Sequence, residues 1–217
     1  MVAGEDHSCS DFGYATRLWI LPTSVNAETK NMNLNTILFN WINNSGALQS
    51  NAFDWWMLFL TEPRNAIVPF LLMAAYWSWQ GEAKGRRAIF AIILLLIVVD
   101  GTGGWIKSWL HAMRPCQTLE NVRLLVGCGA NSFPSNHAAN MAAMAAYLGF
   151  FYPRTLMFFA PLAFGVGLSR IYVGVHYPGD VVSGWIYGVL LATILYQIHI
   201  RFFPADRRTP SEAPSQS

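Results

Sequence analysis

Charge is scarce in this sequence: Asp, Glu, Lys and Arg together make up 12% of its 217 residues, against roughly 25% in an ordinary soluble domain. The net charge of +2 is equally slight. No basic stripe with interleaved aromatics runs along the chain, so nucleic acid is not expected as a partner. Cysteine is nearly absent. Cys9, Cys116 and Cys128 are the three, and no pair has the spacing of a zinc finger. Apolar–polar alternation over short segments is missing too, which argues against a transmembrane barrel.

What the chain holds in quantity is hydrocarbon, with 53% of residues hydrophobic. Runs at 64–80, 88–110, 136–152, 155–174 and 180–202 approach the about 20 residues that a helix needs to cross a bilayer. The run at 136–152 is short for a full crossing. Two smaller pieces precede them. Residues 34–44 place Leu34, Ile37, Leu38, Trp41 and Ile42 at helical spacing and predict a helix lying in the membrane interface. Residues 53–62 are apolar until Pro63, and either stand alone or join the next run as one kinked helix. The fold class expected is all-α, a multi-pass transmembrane bundle of about five to six spans plus the N-terminal interfacial helix. Nine tryptophans and eight tyrosines, many near the ends of runs, suit the aromatic belts of a bilayer partner. Residues 1–31 read as a disordered leader, 32–203 as one transmembrane domain, and 204–217, rich in Ser and Pro, as a disordered cytoplasmic tail.

Basic residues set the expected orientation. Lys84, Arg86 and Arg87, then Arg154, then Arg201, Arg207 and Arg208 all fall on one face, which the positive-inside tendency makes cytoplasmic. The opposite face receives 107–136 and 174–180. There the remaining polar residues cluster, although unpaired charge beside hydrocarbon is costly.

Lys107 and Arg114 are seven residues apart, so they would share one helix face about two turns apart, with Pro115 stopping the helix. The bland alternative is a pair of snorkelling cations. In Pro134-Ser135-Asn136-His137, Ser135 is placed as helix cap, ligand or both. The free N–H groups at that helix start make an anion cradle, and His137 can donate a proton to a leaving oxygen. Arg170 offers a bidentate fork for phosphate oxygens. Asp180 lies four residues beyond His176, within reach of one imidazole nitrogen, which leaves the other aimed at substrate. Cations and histidines gathered at one face read as a site that grips phosphate and works on it. A metal site is the rival reading, but the cations would repel a metal; no metal or other cofactor is expected. Asp100 is either a partner of Lys107 or a packing acid paired across helices. Cys116 and Cys128 bracket the outer loop, as a disulfide or as two unpaired small residues.

At these residues the sequence resembles the type 2 phosphatidic acid phosphatase superfamily. The pattern is Lys107, six residues, Arg114-Pro115; then Pro134-Ser135-x-His137; then Ser169-Arg170, five residues, His176, three residues, Asp180. The motifs fall in order across 107–180, and the membrane frame extends the likeness to 34–202. Asn136 departs from the pattern, since glycine is commonest there. The resemblance implies a six-helix-type bundle and phosphate hydrolysis without metal. It implies His176 as a nucleophile forming phosphohistidine, Asp180 orienting it, and His137 as general acid and then base. Lys107, Arg114, Ser135, the Asn136 N–H and Arg170 would form the phosphate cage. A site at the outer face of apolar helices favours a lipid phosphate or diphosphate. Short bacterial-type members with this layout resemble undecaprenyl-diphosphate phosphatases, which implies the inner (plasma) membrane with the site facing the periplasm or exterior. Phosphatidylglycerophosphate, phosphatidate or lipid A phosphates, and phosphate transfer to another lipid, stay open. A vanadium-dependent haloperoxidase shares the cage but not the membrane spans, and a transporter would need the clusters to be coincidental.

Overall fold

The computed structural model describes residues 33–79 and 83–206; the expected leader, 1–31, and the expected tail from 207 lie outside them. Local chemistry starts the first two helices. The Asn33 side chain accepts from the Thr36 N–H at 2.9 Å and opens α1 (Leu34–Asn43). The Ser50 hydroxyl accepts from the Phe53 N–H at 3.2 Å and opens α2 (Asn51–Thr61), each cap satisfying a donor that the helix leaves unpaired. Glu62 and Pro63 break the chain before α3 (Arg64–Trp79), so the two pieces are separate helices and not one kinked rod. The long helices follow: α4 (Ala83–Leu110), α5 (Asn136–Phe151), α6 (Leu156–Tyr172) and α7 (Pro178–Phe202). No strand occurs among the described residues.

Among the described residues three stretches are long and apolar enough to cross a membrane, Ala83–Thr118, Pro153–Tyr172 and Pro178–Phe202. With 16 residues each, α3 and α5 reach about 24 Å. On α1, Phe39 and Asn43 are buried while Leu34 and Trp41 face outward, the two-faced pattern of an interfacial helix. Asn43 ties it down, donating to Arg123 O at 2.9 Å and Tyr172 O at 2.7 Å.

Helix α5 sits at the centre, packed on α7, α6 and α4. Its alanines let α7 approach until a Cβ on Gly188 would lie 2.1 Å from Ala139 O, and one on Gly184 would lie 2.6 Å from Ser135 O. That contact holds the beginnings of α5 and α7 side by side. Below it Ile92, Leu95, Val99, Ala143, Tyr147, Leu148, Phe151 and Ala192 fill a shared core.

Two expectations need correction at the other end of the bundle. Helix α4 begins at Ala83 and not at 88, so Lys84, Arg86 and Arg87 stand on its first turns and not in a loop. Regular structure also continues past 203. Pro204–Asp206 forms a 3-10 turn whose Asp206 is buried, paired with Arg87 and 3.0 Å from His199 Nε2. Tyr147 Oη closes the network 2.7 Å from His199 Nδ1. The Arg87 hydrogen bond holds the Asp206 carboxyl below its usual range, against the opposing effect of burial. A buried carboxylate with a cationic partner is worth ordering a turn for.

Candidate active site

Helix α4 ends at Leu110 because His111 turns into the left-handed region at φ 49°. The chain then runs extended through Arg114, and Pro115 opens a one-turn helix, Pro115–Thr118. Lys107 and Arg114 therefore do not share a helix face. The proline starts a helix instead of stopping one, since its fixed φ and missing N–H suit the first position. Gln117 Oε1 accepts from the Arg114 N–H at 2.8 Å. A disulfide joins Cys116 to Cys128 across a Cα–Cα distance of 6.3 Å, which decides the alternatives left open for those two. Next to the bridge, Gly129 faces the Arg114 guanidinium so closely that a Cβ there would lie 3.1 Å from Nη2.

The loop between α6 and α7 carries the histidine. Gly174 adopts φ 88°, and a Cβ there would sit 2.8 Å from Arg123 O, so glycine makes the reversal. The N–H groups of Val175 and His176 both point back at Arg170 O, at 3.2 and 3.3 Å. Arg114 Nη1 reaches Val175 O at 3.2 Å. His176 is only 2% exposed, and its Nδ1 lies 3.5 Å from Asp180 Oδ2. Burial pushes its pKa down to about 4; the contact with Asp180 opposes this, while the charges of Arg114, Arg170 and Lys107 add to it. The ring is thus a neutral imidazole ringed by three cations.

Asp180 serves two roles at the start of α7. Its Oδ2 accepts the Tyr177 N–H at 2.9 Å, capping the helix, while it faces His176. Its backbone carbonyl accepts the Ser135 N–H at 3.0 Å, which joins the beginning of α5 to the same place. The Ser135 hydroxyl makes no capping bond. It is buried without a protein partner among the described residues, as are Arg114 Nε and Arg170 Nε. Buried donors in that state are costly unless a ligand accepts from them. Lys107 Nζ donates to Ser132 O at 3.1 Å and to Pro134 O. His137, on the first turn of α5, lies within electrostatic reach of Arg170, His176, Asp100 and Lys107.

Asp100 is not the partner of Lys107. Its Oδ1 accepts from Asn136 Nδ2 at 3.1 Å and Asn140 Nδ2 at 2.9 Å, the cross-helix alternative. Here the departure at Asn136 finds its setting: its side chain fits because Gly103 opposite has none, a Cβ there falling 2.8 Å from Asn136 Oδ1.

Two contributors carry no signal in the sequence. Thr61 Oγ1, at the end of α2, accepts from Arg170 Nη1 at 2.5 Å. The Ser132 hydroxyl donates to Asp180 Oδ2 at 2.5 Å. Each is one small hydroxyl whose partner lies far along the chain, and nothing in its own neighbourhood marks it out. Among the described residues no three His, Cys, Asp or Glu side chains are grouped to hold a metal ion. Two arginines with buried, unpartnered Nε donors, beside the charge of Lys107, suit a tetrahedral oxyanion.

The model of the PAP2 superfamily matches residues 87–204. The bacitracin transport permease protein BcrC of Bacillus licheniformis is 32% identical over 165 residues, 75% of this chain and 79% of that protein. An undecaprenyl-diphosphatase of Sulfolobus acidocaldarius is 26% identical over 171 residues, 78% of this chain and 80% of its own length. The crystal structure of a transmembrane PAP2-type phosphatidylglycerolphosphate phosphatase from Bacillus subtilis superposes with a TM-score of 0.62 at 20% identity, covering 82% of this chain and 92% of that one; at that identity the likeness is one of fold. With the family pattern running through more than half of the chain, and through the clusters that the fold gathers around His176, this chain belongs to the PAP2 superfamily.

Proposed function

We propose that the protein removes one phosphate from a polyprenyl diphosphate, converting undecaprenyl diphosphate to undecaprenyl phosphate through a phosphohistidine on His176. Membership of the family makes the chain a membrane-held hydrolase of lipid phosphates. The observation that carries the finer reading is the neutral, buried imidazole of His176 among Lys107, Arg114 and Arg170. A lone pair on Nε2 is then free to attack phosphorus while the cations spread the charge on its oxygens. As the N–P bond forms, the P–O bond breaks toward the leaving oxygen, which takes a proton from His137; His137 holds that proton when the negative charge of the bound phosphate offsets the surrounding cations. His137, now neutral, takes a proton from water as that water attacks phosphorus; the N–P bond breaks, its electron pair returns to Nε2 of His176, and phosphate leaves. Ser135 Oγ and the Asn136 N–H complete the cage.

Exposed Trp105, Trp109, Leu110 and Met113 adjoin Lys107 and Arg114, which suits a substrate whose tail stays in hydrocarbon. The basic residues at the far end, Lys84, Arg86, Arg87, Arg154 and Arg201, favour an inner (plasma) membrane orientation with the site outward. A relative bearing the name undecaprenyl-diphosphatase supports the substrate. The runner-up is phosphatidylglycerophosphate, phosphatidate or a lipid A phosphate, with phosphotransfer to a second lipid as the variant reaction.

A panel of these lipids in mixed micelles tests the substrate. Undecaprenyl diphosphate should give the highest kcat/KM; a preference of roughly tenfold for another lipid reassigns the substrate, and labelled phosphate found on lipid instead of in water makes the chain a transferase. The cage is tested at its support. Thr61→Val keeps the shape and removes the acceptor of Arg170 Nη1, so KM should rise about tenfold, the effect of losing one hydrogen bond to a charged group. Thr61→Ser should restore it. An unchanged KM in the valine variant would remove Thr61 from the site.

A further inference from the structure

Ser132 is fully buried at 0% exposure and touches three parts of the site at once. Its N–H donates to Ala112 O at 2.8 Å and its carbonyl accepts Lys107 Nζ at 3.1 Å. Those backbone bonds hold the loop and the lysine. The hydroxyl does something separate. It donates to Asp180 Oδ2 at 2.5 Å, and the same oxygen lies 3.4 Å from His176 Nδ1, while the carboxylate oxygen itself lies 3.5 Å from that nitrogen.

A hydroxyl has one proton, and an ionised carboxylate can only accept. The proton of Ser132 therefore goes to Asp180, and a lone pair of the oxygen faces the imidazole. Nδ1 then carries the ring hydrogen, and Nε2 is left bare.

We propose that Ser132 is a positioning residue for the nucleophile: its hydroxyl bridges Asp180 to His176 and holds the ring in the tautomer that exposes Nε2. The inference rests on the reading of His176 as the group that accepts phosphorus. No proton moves along the bridge in the reaction. When Nε2 gives its lone pair to phosphorus the ring becomes cationic, its Nδ1–H becomes a stronger donor, and the Ser132 oxygen, polarised by Asp180, receives it.

Ser132→Ala keeps both backbone bonds and deletes only the hydroxyl. The phosphoenzyme formed in a single turnover and trapped in base should appear about 10- to 100-fold more slowly, the effect of one hydrogen bond to a charged group. KM and the thermal midpoint should stay close to the parent's, and Ser132→Thr should recover most of the rate. In 15N-histidine spectra, with the His176 signal assigned by its loss in His176→Ala, the ring should pass from one tautomer to a mixture. A rate within twofold of the parent with an unchanged ring signal overturns the proposal and leaves His176 as nucleophile. A drop in thermal midpoint that accounts for the lost rate, or a raised KM with kcat kept, also overturns it in favour of packing. Should the alanine variant not fold, Ser132→Cys keeps the volume with a weaker donor, and parental speed in it is equally fatal. Phosphoenzyme forming at the parental rate in His176→Ala would instead sink the underlying reading.

Discussion

His176→Ala should form no phosphoenzyme, and its kcat should fall by at least about 10⁴-fold, the effect of removing a nucleophile from a site whose parts act together. Among the described residues no other imidazole is paired with Asp180: His137 is on the first turn of α5, His111 is exposed just past the end of α4, and His199 is buried in the Tyr147–Asp206 network at the far end. The pH dependence is part of the same result. An ordinary imidazole is about half protonated at pH 6.5, so a nucleophile of that kind would lose rate below neutrality. His176 is held near 4, first by burial and then by Arg114, Arg170 and Lys107. Its neutral, reactive form is thus present above about pH 4 and lost only as pH falls through that value. Corrected for the ionisation of the substrate, kcat/KM should show no acid limb near 6.5. A limb there that persists in His137→Ala, read with an aryl phosphate, would mean that the His176 imidazole is solvated in the working enzyme. More than about 1% residual turnover in purified His176→Ala would remove it from the nucleophile's role altogether.

The second large effect separates substrates by leaving group. His137→Ala should slow phosphoenzyme formation by about 10²- to 10⁴-fold wherever the departing oxygen needs a proton. A lipid alcohol leaving from phosphatidate is such a case, because an alkoxide is a poor leaving group. An aryl phosphate with an acidic phenol needs almost no protonation, and the variant should phosphorylate itself from it at close to the parental rate. A diphosphate falls between, since the group that leaves is itself a phosphate. The second step should be slowed for all three if the same histidine activates water, so the comparison must be read from the first turnover by rapid quench. Equal losses for the alcohol and the aryl leaving groups would take His137 out of the acid role and make it a part of the cage.

Much of this was legible in the residues because hydropathy is a local property. The apolar runs mark α3 to α7 within a few residues, except at the start of α4, and the repeat of Leu34, Ile37, Leu38 and Trp41 marks α1. The clusters at Lys107, at Ser135 to His137, and at Arg170 to Asp180 stand out for a related reason. Charge in so apolar a chain needs a partner, so each such group advertises a role. Local signals failed where two fates share one sequence. Pro115 both ends and begins helices, and only the left-handed turn at His111 shows which. Ser135 is a cap by position, yet its hydroxyl does not cap.

By itself, the order of the residues determined a helical membrane protein and the set of groups that one face would have to accommodate. The tertiary structure alone decided what those groups touch: Thr61 under Arg170, 109 residues away, Ser132 against Asp180, 48 residues away, Asp100 given to two amides and not to Lys107, and Cys116 joined to Cys128. The physical reason is the same in each case. A helix or a span is written in neighbours along the chain, whereas a hydrogen bond of a small side chain depends on how closely helices pack, and here that was set by Gly184 and Gly188 letting α7 lie against α5.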